Sequence, residues 1–395
     1  MGFRTYTCPI AAKCGGCEWL AVPYPIQLRR KQEAMEELFS DLCREQHIQV
    51  SPIVGMEEPL AYRNKAATPF APGPHGHIKA GFYARGTHKI VACPSCLVEY
   101  PQCREVLHAL TRAAEKLSIP AYQEDNHTGV LRHAIVRVGY STGQIILTIV
   151  TNGDTLPRAQ ALVKELRRRM PNITTIVQNI NNRKTNAMLG FTSKTLFGPG
   201  VIFDKLLGCT FEIGPTSFYQ TNPQQTEALY QIAIDALKPF AAKQEHFSIL
   251  DAYCGIGSIG ICAARQITNA SVIGVEKVGG AISCAKRNAV TNKLAERVEF
   301  MRADATEWMN QHESDLKLDA IILDPPRTGS TPQFLEKAAH LHPQAIVYIS
   351  CNPITQKRDV SLLLQYGYKL ESLVPVDMFP HTKHVETVCL LTHKG

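Results

Sequence analysis

The feature that most limits what this 395-residue chain can fold into is an alternation that begins near residue 216. Short apolar runs are separated there by amphipathic stretches of helical length, the pattern of a mostly parallel sheet with helices on both faces. The runs are FSILDAY, SVIGVE, VEFMRAD, LDAIILD, AIVYIS, ESLVPVDMF and ETVCLLTH. They predict seven strands, the last two antiparallel because no helix separates them. A helix opens the series. Asn222 as N-cap, Pro223 at the first helical position and Gln225 three residues after the cap predict a capping box ahead of ALYQIAIDAL.

The turn after the first run reads CGIGSIG, so Gly255, Gly257 and Gly260 fit Gly-x-Gly-x-x-Gly, and Glu276 ends the second run. Glycines there let a ligand approach the backbone at a helix N-terminus, and an acid after strand two accepts hydrogen bonds from ribose hydroxyls. Nicotinamide dinucleotides and S-adenosylmethionine both carry that ribose. Asp251, inside the first strand, favours the sulfonium cofactor, because an anion sits badly beside a pyrophosphate and well beside a cation.

Three later strand ends also carry reactive groups. LDAIILD runs into Asp324-Pro325-Pro326-Arg327, where the prolines stiffen the loop and fix the angle of Asp324; it is either a plain turn or a contact to cofactor or base. AIVYIS runs into Ser350-Cys351-Asn352-Pro353, which puts Cys351 at a strand tip and a helix start, where a lowered thiol pKa is expected. FPHTKHVET sets His381, His384 and Glu386 at the turn between the last two strands, with Glu386 placed to act as a base near Cys351.

No run approaches the ~18 apolar residues of a membrane span, and the start, MGFRTYTC, has no signal core, which predicts a cytoplasmic protein. The net charge of +7 favours a polyanionic partner only mildly. Thirteen cysteines are an odd number in a chain with no export signal, so metal ligation and thiol chemistry are better readings than a disulfide framework. Cys8, Cys14 and Cys17 form one group, with Gly15 and Gly16 to let the backbone turn both sulfurs inward; Cys93, Cys96 and Cys103 form another. Spacing alone leaves two chemistries open: zinc on Cys14, Cys17, Cys93 and Cys96, or an iron–sulfur cluster with three local ligands. Cys43, Cys209, Cys262, Cys284 and Cys389 read as small buried hydrophobes.

In this order SFYQTNPQQ, DAYCGIG, GVE, ILDPPR, SCNP and DMFPHTKHVETV, preceded by YRNKA and LRH, resemble the uracil-C5 RNA methyltransferase family over nearly the whole chain. Within it the chain looks most like the bacterial 23S rRNA enzymes that begin directly with the cysteine cluster and lack an amino-terminal β-barrel domain. The resemblance implies an α/β fold. A seven-stranded Rossmann-like class I methyltransferase domain, residues 216–395, would follow a smaller α+β region, residues 1–215, that binds RNA and carries a [4Fe-4S] cluster. It implies Cys8, Cys14, Cys17 and Cys96 as cluster ligands, with Cys93 a rival for the fourth. Gln220, Tyr253, Glu276 and Asp324 match contacts to S-adenosyl-L-methionine, Tyr253 standing where many relatives have Phe. Cys351 matches the nucleophile and Glu386 the general base.

The implied activity is methylation of carbon 5 of a specific unpaired uridine in 23S rRNA, in a hairpin loop or similar site, through a covalent cysteine–uracil adduct; tRNA is the alternative substrate. An adenine amino-methyltransferase, a nicotinamide oxidoreductase and a non-catalytic RNA-binding module are the rival readings. Phosphate contacts are expected from Arg63, Asn64 and Lys65 of YRNKA and from Arg132 and His133 of LRH, ahead of the helical run Arg167, Arg168, Arg169.

Overall fold

The structure, a computed structural model, describes residues 4–312 and 317–393. Two helices, α1 (Tyr24–Leu38) and α2 (Ser40–Glu45), come first. The front region then supplies β1 (Lys65–Pro72), β2 (Ile78–Tyr83), β3 (Ile90–Ala92), α3 (Pro101–Lys116), β4 (Leu131–Val138), β5 (Ile145–Thr151), α4 (Ala159–Arg169), β6 (Ile173–Ile180) and β7 (Thr192–Phe197). These strands form one sheet in the order β3-β2-β1-β4-β5-β6-β7. Every pairing is antiparallel except β5 with β6, and α4 makes the crossover that a parallel pair requires.

Helices α3 and α4 cover one face of this sheet, packing Leu107, Leu110, Leu162 and Leu166 on Leu131, Val136, Leu147 and Ile149. The region expected to be smaller thus has a seven-stranded sheet of its own. Its central strands β4 and β5 are buried along their whole length, and Ile146 and Val177 reach from the other face into the core of the second sheet. Strands buried on both faces lack the polar alternation that marks a half-exposed strand.

A hairpin of β8 (Ile202–Leu206) and β9 (Cys209–Ile213) follows and packs into the same core as α5 (Pro223–Ala241). The remaining chain alternates: β10 (Phe247–Ala252), α6 (Ser258–Gln266), β11 (Ala270–Glu276), α7 (Gly279–Thr291), β12 (Val298–Arg302), α8 (Ala305–His312), β13 (Ala320–Leu323), α9 (Pro332–His340), β14 (Ala345–Ser350), α10 (Pro353–Gln365), β15 (Tyr368–Val376) and β16 (Glu386–His393). The second sheet has the order β12-β11-β10-β13-β14-β16-β15, with β16 antiparallel to both of its neighbours. All seven runs read from the sequence are strands, and the last two have the expected sense. From β10 the chain winds first toward β12 and then back through β13 to β14, so the loops after β10 and β13 diverge and leave a crevice at the carboxyl edge.

Asn222 caps α5 by accepting the Gln225 amide at 3.3 Å, but the Gln225 side chain donates to the Val54 carbonyl instead of returning to the cap. The reciprocal half of the capping box is therefore absent. The segment around Val50 and Val54 bridges in parallel to Leu373 and Val376, which covers the outer edge of β15. Met35, Phe39 and Leu42 join the core on that side. Among the described residues no helix is long and apolar enough to cross a membrane.

Candidate active site

The turn after β10 holds Gly255 and Gly257 at φ 56° and 79°. Nothing lies within 4 Å of where a Cβ on Gly255 would stand, so this stretch of backbone is open to a ligand. Beside it a cleft of about 350 Å³ is lined by Gly255, Ile256, Glu276, Pro215, Phe218 and Arg287 among others. Glu276 sits on that wall and accepts the Val278 amide at 2.8 Å. Asp251 lies fully buried below the turn, where one oxygen accepts the Gly260 amide at 3.1 Å and the other has no partner. Burial first, and then the charges of Asp324 and Glu276, push its pKa up to about 8 against the Gly260 hydrogen bond. A carboxyl that is mostly neutral at pH 7 is not the anion on which the sequence argument for a sulfonium cofactor relied.

Two more of the expected cofactor contacts are set by long-range bonds. Arg137, interior on β4, donates to the carbonyls of Tyr219 (2.9 Å) and Gln220 (3.3 Å), and the Asn64 amide donates to Thr221 at 2.9 Å. The first sheet thereby fixes the loop that carries Gln220. Tyr253 has φ 67°, a strained value for a residue with a side chain. Its ring packs on Phe334 and its hydroxyl meets Ser330 Oγ at 3.0 Å, which ties the turn to the loop beyond Asp324.

The reactive candidates converge by strand register. β14 lies between β13 and β16, with Leu323 opposite Tyr348 and Ser350 opposite Thr387. Asp324, Cys351 and Glu386 are the next residues along these three strands, so they share one edge. Glu386 is buried, and burial followed by the Asp324 charge pushes its pKa up to about 8, with Arg327 opposing. Burial alone takes Asp324 to about 7. The Cys351 thiol is raised by burial and then by Glu386 and Asp324; Arg327, which also donates a hydrogen bond to it, works the other way. The lowered thiol expected at a helix start is thus overturned. Asn352 has taken up the Ile354 amide at the start of α10, and two carboxyls face the sulfur.

The first part of the turn before Glu386 is interior, which the sequence reading missed, while Lys383 and His384 are exposed. His381 is fully buried at φ 65°. Its Nε2 donates to the Pro59 carbonyl at 2.9 Å, so Nδ1 accepts from the Gln27 amide at 3.1 Å, and its backbone amide donates to Gln27 Oε1 at 2.9 Å. The amides of Glu18 and Trp19, just after Cys17, donate to its carbonyl at 2.9 and 3.0 Å. Burial lowers its pKa and keeps the ring neutral. Nearby, Lys31 and Asp377 form an ion pair at 2.5 Å with both side chains at 0% exposure, joined by the Tyr24 hydroxyl at 2.8 Å. His384 is exposed. The only signal for this network in the sequence is the density of polar residues in FPHTKH.

Cys8, Cys14, Cys17 and Cys96 are near neighbours. Burial raises Cys14 and Cys17, with Cys17 pushed up to about 12, and the charges of Cys96 and Cys8 add to both. Cys93 lies beside Cys96 and lowers its pKa while its own is raised, and the Cys93 thiol donates to the Ser95 carbonyl at 3.1 Å. Among the described residues, no group of three or more such side chains is arranged to hold a metal ion. Neither Gly15 nor Gly16 adopts positive φ; the Gly16 amide donates to Cys14 sulfur at 3.4 Å. The five single cysteines expected in the core are all buried.

The expected phosphate contacts fare less well. Asn64 is fully buried, and Arg132 and His133 are 5% and 8% exposed. Arg132 donates to the carbonyls of Asn181 and Arg183. Burial and Arg132 take His133 down to about 4, which leaves it neutral. Arg168 and Arg169 both pair with Glu165.

Residues 126–394 match the family described as tRNA (uracil-5-)-methyltransferase. An uncharacterized RNA methyltransferase of Halalkalibacterium halodurans is 38% identical over 389 residues, 98% of this chain and 83% of that protein. One from Staphylococcus aureus is 39% identical over 388 residues, 98% and 84% of the two chains. The solved structure of Pyrococcus abyssi tRNA (uracil-54, C5)-methyltransferase in complex with S-adenosyl-L-homocysteine superposes with a TM-score of 0.77 at 26% identity, covering 98% of this chain and 87% of that one.

Proposed function

Because the chain belongs to the tRNA (uracil-5-)-methyltransferase family of S-adenosylmethionine-dependent RNA methyltransferases, we propose that it methylates carbon 5 of an unpaired uridine in 23S rRNA through a covalent adduct on Cys351. The observation that carries this reading is the register that sets Asp324, Cys351 and Glu386 on one edge, with Arg327 beside the thiol.

Carbon 5 of uracil is too weak a nucleophile to be alkylated unaided. The Cys351 thiol gives its proton to solvent, the Arg327 charge favouring the thiolate, and the sulfur adds to carbon 6, so that the electron pair of the C5–C6 double bond moves into an enolate with density on carbon 5. S-adenosylmethionine, when bound, supplies the methyl group that carbon 5 takes. The Glu386 carboxylate then removes the carbon 5 proton, the double bond re-forms, and the Cys351–carbon 6 bond breaks to return the thiolate. Gln220, Tyr253, Glu276 and Asp324 are proposed to hold the cofactor, with residues 216–395 as the transfer unit and residues 1–215 serving RNA and metal.

The [4Fe-4S] cluster reading rests on the resemblance and on the chemistry of the donor set: Cys8, Cys14, Cys17 and Cys96 would be its ligands, and Cys14 and Cys17, both raised by burial and by neighbouring thiols, would be relieved by a bound cation, although the four are not arranged as a metal site in this structure. Cys96 is favoured over Cys93 as the fourth ligand because both Cys14 and Cys17 feel its charge, while the Cys93 thiol donates to the Ser95 carbonyl at 3.1 Å. Its role would be structural. Purified protein should be brown and contain iron and sulfide in equal amounts; a colourless zinc protein would overturn this.

A tRNA substrate is the second reading, favoured by the Pyrococcus abyssi relative. Mass mapping of RNA from cells lacking the protein separates the two, since either 23S rRNA or tRNA, in the cytoplasm where the chain is proposed to act, loses one uridine methyl group. For the mechanism, Cys351→Ala should give no denaturant-stable RNA adduct, and Glu386→Gln should give one that accumulates. Normal turnover by Cys351→Ser would sink the proposal.

A further inference from the structure

Arg132 and His133 of LRH are buried and Arg63 and Lys65 of YRNKA are only half-exposed, so a chain that acts on RNA needs further grip elsewhere. The β6–β7 connection offers one. Asn181 donates to the carbonyls of Ala187 (2.6 Å) and Met188 (3.1 Å), and Asn179 exchanges hydrogen bonds with Gly190. Buried Arg132 holds the carbonyls of Asn181 and Arg183 from below. The loop is therefore a built element on a rigid base. On its outside Phe191 is 90% exposed, and the Arg183 guanidinium lies 4.4 Å from its ring centroid and covers one face. Lys184 is exposed beside them, as is Lys194 on β7, an edge strand exposed from Thr192 to Thr195. Beyond it Arg167 stacks on Phe197 at 4.2 Å.

Glu165 takes up Arg168 and Arg169 at the start of this strip. From Leu166 to Phe203 the chain contains no Asp or Glu, so Arg167, Arg183, Lys184 and Lys194 have no acidic neighbour in their own segment. A protein partner would leave such cations unpaired or require a matching acidic face. A flat exposed ring flanked by uncompensated cations suits single-stranded nucleic acid, whose bases stack and whose phosphates neutralise. The loop lies past the Leu131 end of β4, and the Gln220 loop lies at the Arg137 end, which separates them by roughly 20 Å of strand. That span corresponds to several nucleotides.

We propose that the β6–β7 loop and edge strand β7 form a second contact for the substrate RNA, taking an unpaired base on the free face of Phe191 and neighbouring phosphates on Lys184 and Lys194. This rests on the reading of the chain as an RNA uracil methyltransferase. The experiment is fluorescence anisotropy of the full chain with a labelled oligouridylate and with an RNA duplex, across a salt series. Phe191→Ala should weaken oligouridylate binding about tenfold while calorimetric affinity for S-adenosylmethionine is unchanged. The Lys184→Ala/Lys194→Ala double variant should lower the slope of log affinity against log salt by about 1.4. Unchanged affinity and slope in both variants would overturn the proposal, and so would losses confined to the duplex, which mark a phosphate clamp without base stacking. Methyl transfer is read in the same samples. Wild-type protein that binds through Phe191 but methylates no uracil keeps this surface and removes the active-site reading; a methylating enzyme indifferent to Phe191 and both lysines removes this surface alone.

Discussion

In the proposed mechanism Glu386 accepts a proton from carbon 5, yet burial and Asp324 hold its pKa at about 8, so near neutrality it already carries one. Asp324, at about 7, is close to half-protonated there. A cationic cofactor beside these groups favours their ionised forms, so binding expels protons and tightens as pH rises toward the folded pKa values. Calorimetry of S-adenosylmethionine binding at about pH 6, in two buffers of different ionisation enthalpy, should show proton release; identical heats would refute the coupling. Asp251 makes a separate case. Its folded pKa of about 8 lies above the ordinary carboxyl value of about 4, so the folded chain keeps a proton that the unfolded chain gives up. The stability this confers is present at acid pH and fades as pH rises through that window. Asp251→Asn, neutral and of the same shape, should leave the melting temperature near neutrality within a few degrees of wild type and flatten its decline toward pH 8. An unaltered pH slope would mean the carboxyl is ionised throughout.

The strands of the second sheet are legible because each is an unbroken apolar run, and the antiparallel pair because nothing helical separates it. Helix α1 is not, for a physical reason. Its buried positions, Tyr24, Gln27, Lys31 and Met35, recur at helical spacing, but two of the four are polar, so the apolar stripe that would announce the helix is interrupted. Those polar residues make the contacts that matter: Gln27 holds His381, and Lys31 holds Asp377 and the Phe379 carbonyl. Burial pulls the Lys31 pKa down while Asp377 holds it up, as expected for a pair kept apart from water. Lys31→Met leaves the Asp377 charge buried with only the Tyr24 hydroxyl to meet it, and should cost about 3–5 kcal/mol of unfolding free energy by denaturant titration. Adding Asp377→Leu should recover part of that loss. Strands β4 and β5 were illegible for the opposite reason, since burial on both faces erases alternation. The candidate catalytic residues could be named from motifs, but their protonation could not, because it depends on strand register.

The two sheets meet where Arg137 reaches the Gln220 loop. Arg137→Met removes both charge-assisted bonds and leaves two carbonyls unmet. Affinity for S-adenosylmethionine should fall about tenfold by calorimetry, while an affinity equal to wild type would separate the front sheet from the cofactor site. A constraint of very long range is His381, whose partner Gln27 lies 354 positions earlier in the chain. A contact that closes a loop of nearly the whole polypeptide forms late in folding, because that closure must be completed before its bonds can form. Both Glu18 and Trp19, from the amino-terminal segment, complete the same junction. The turn that leads into Glu386 is therefore completed only once two stretches of chain far apart in sequence have met, so the reactive edge is finished by docking rather than by any local folding event.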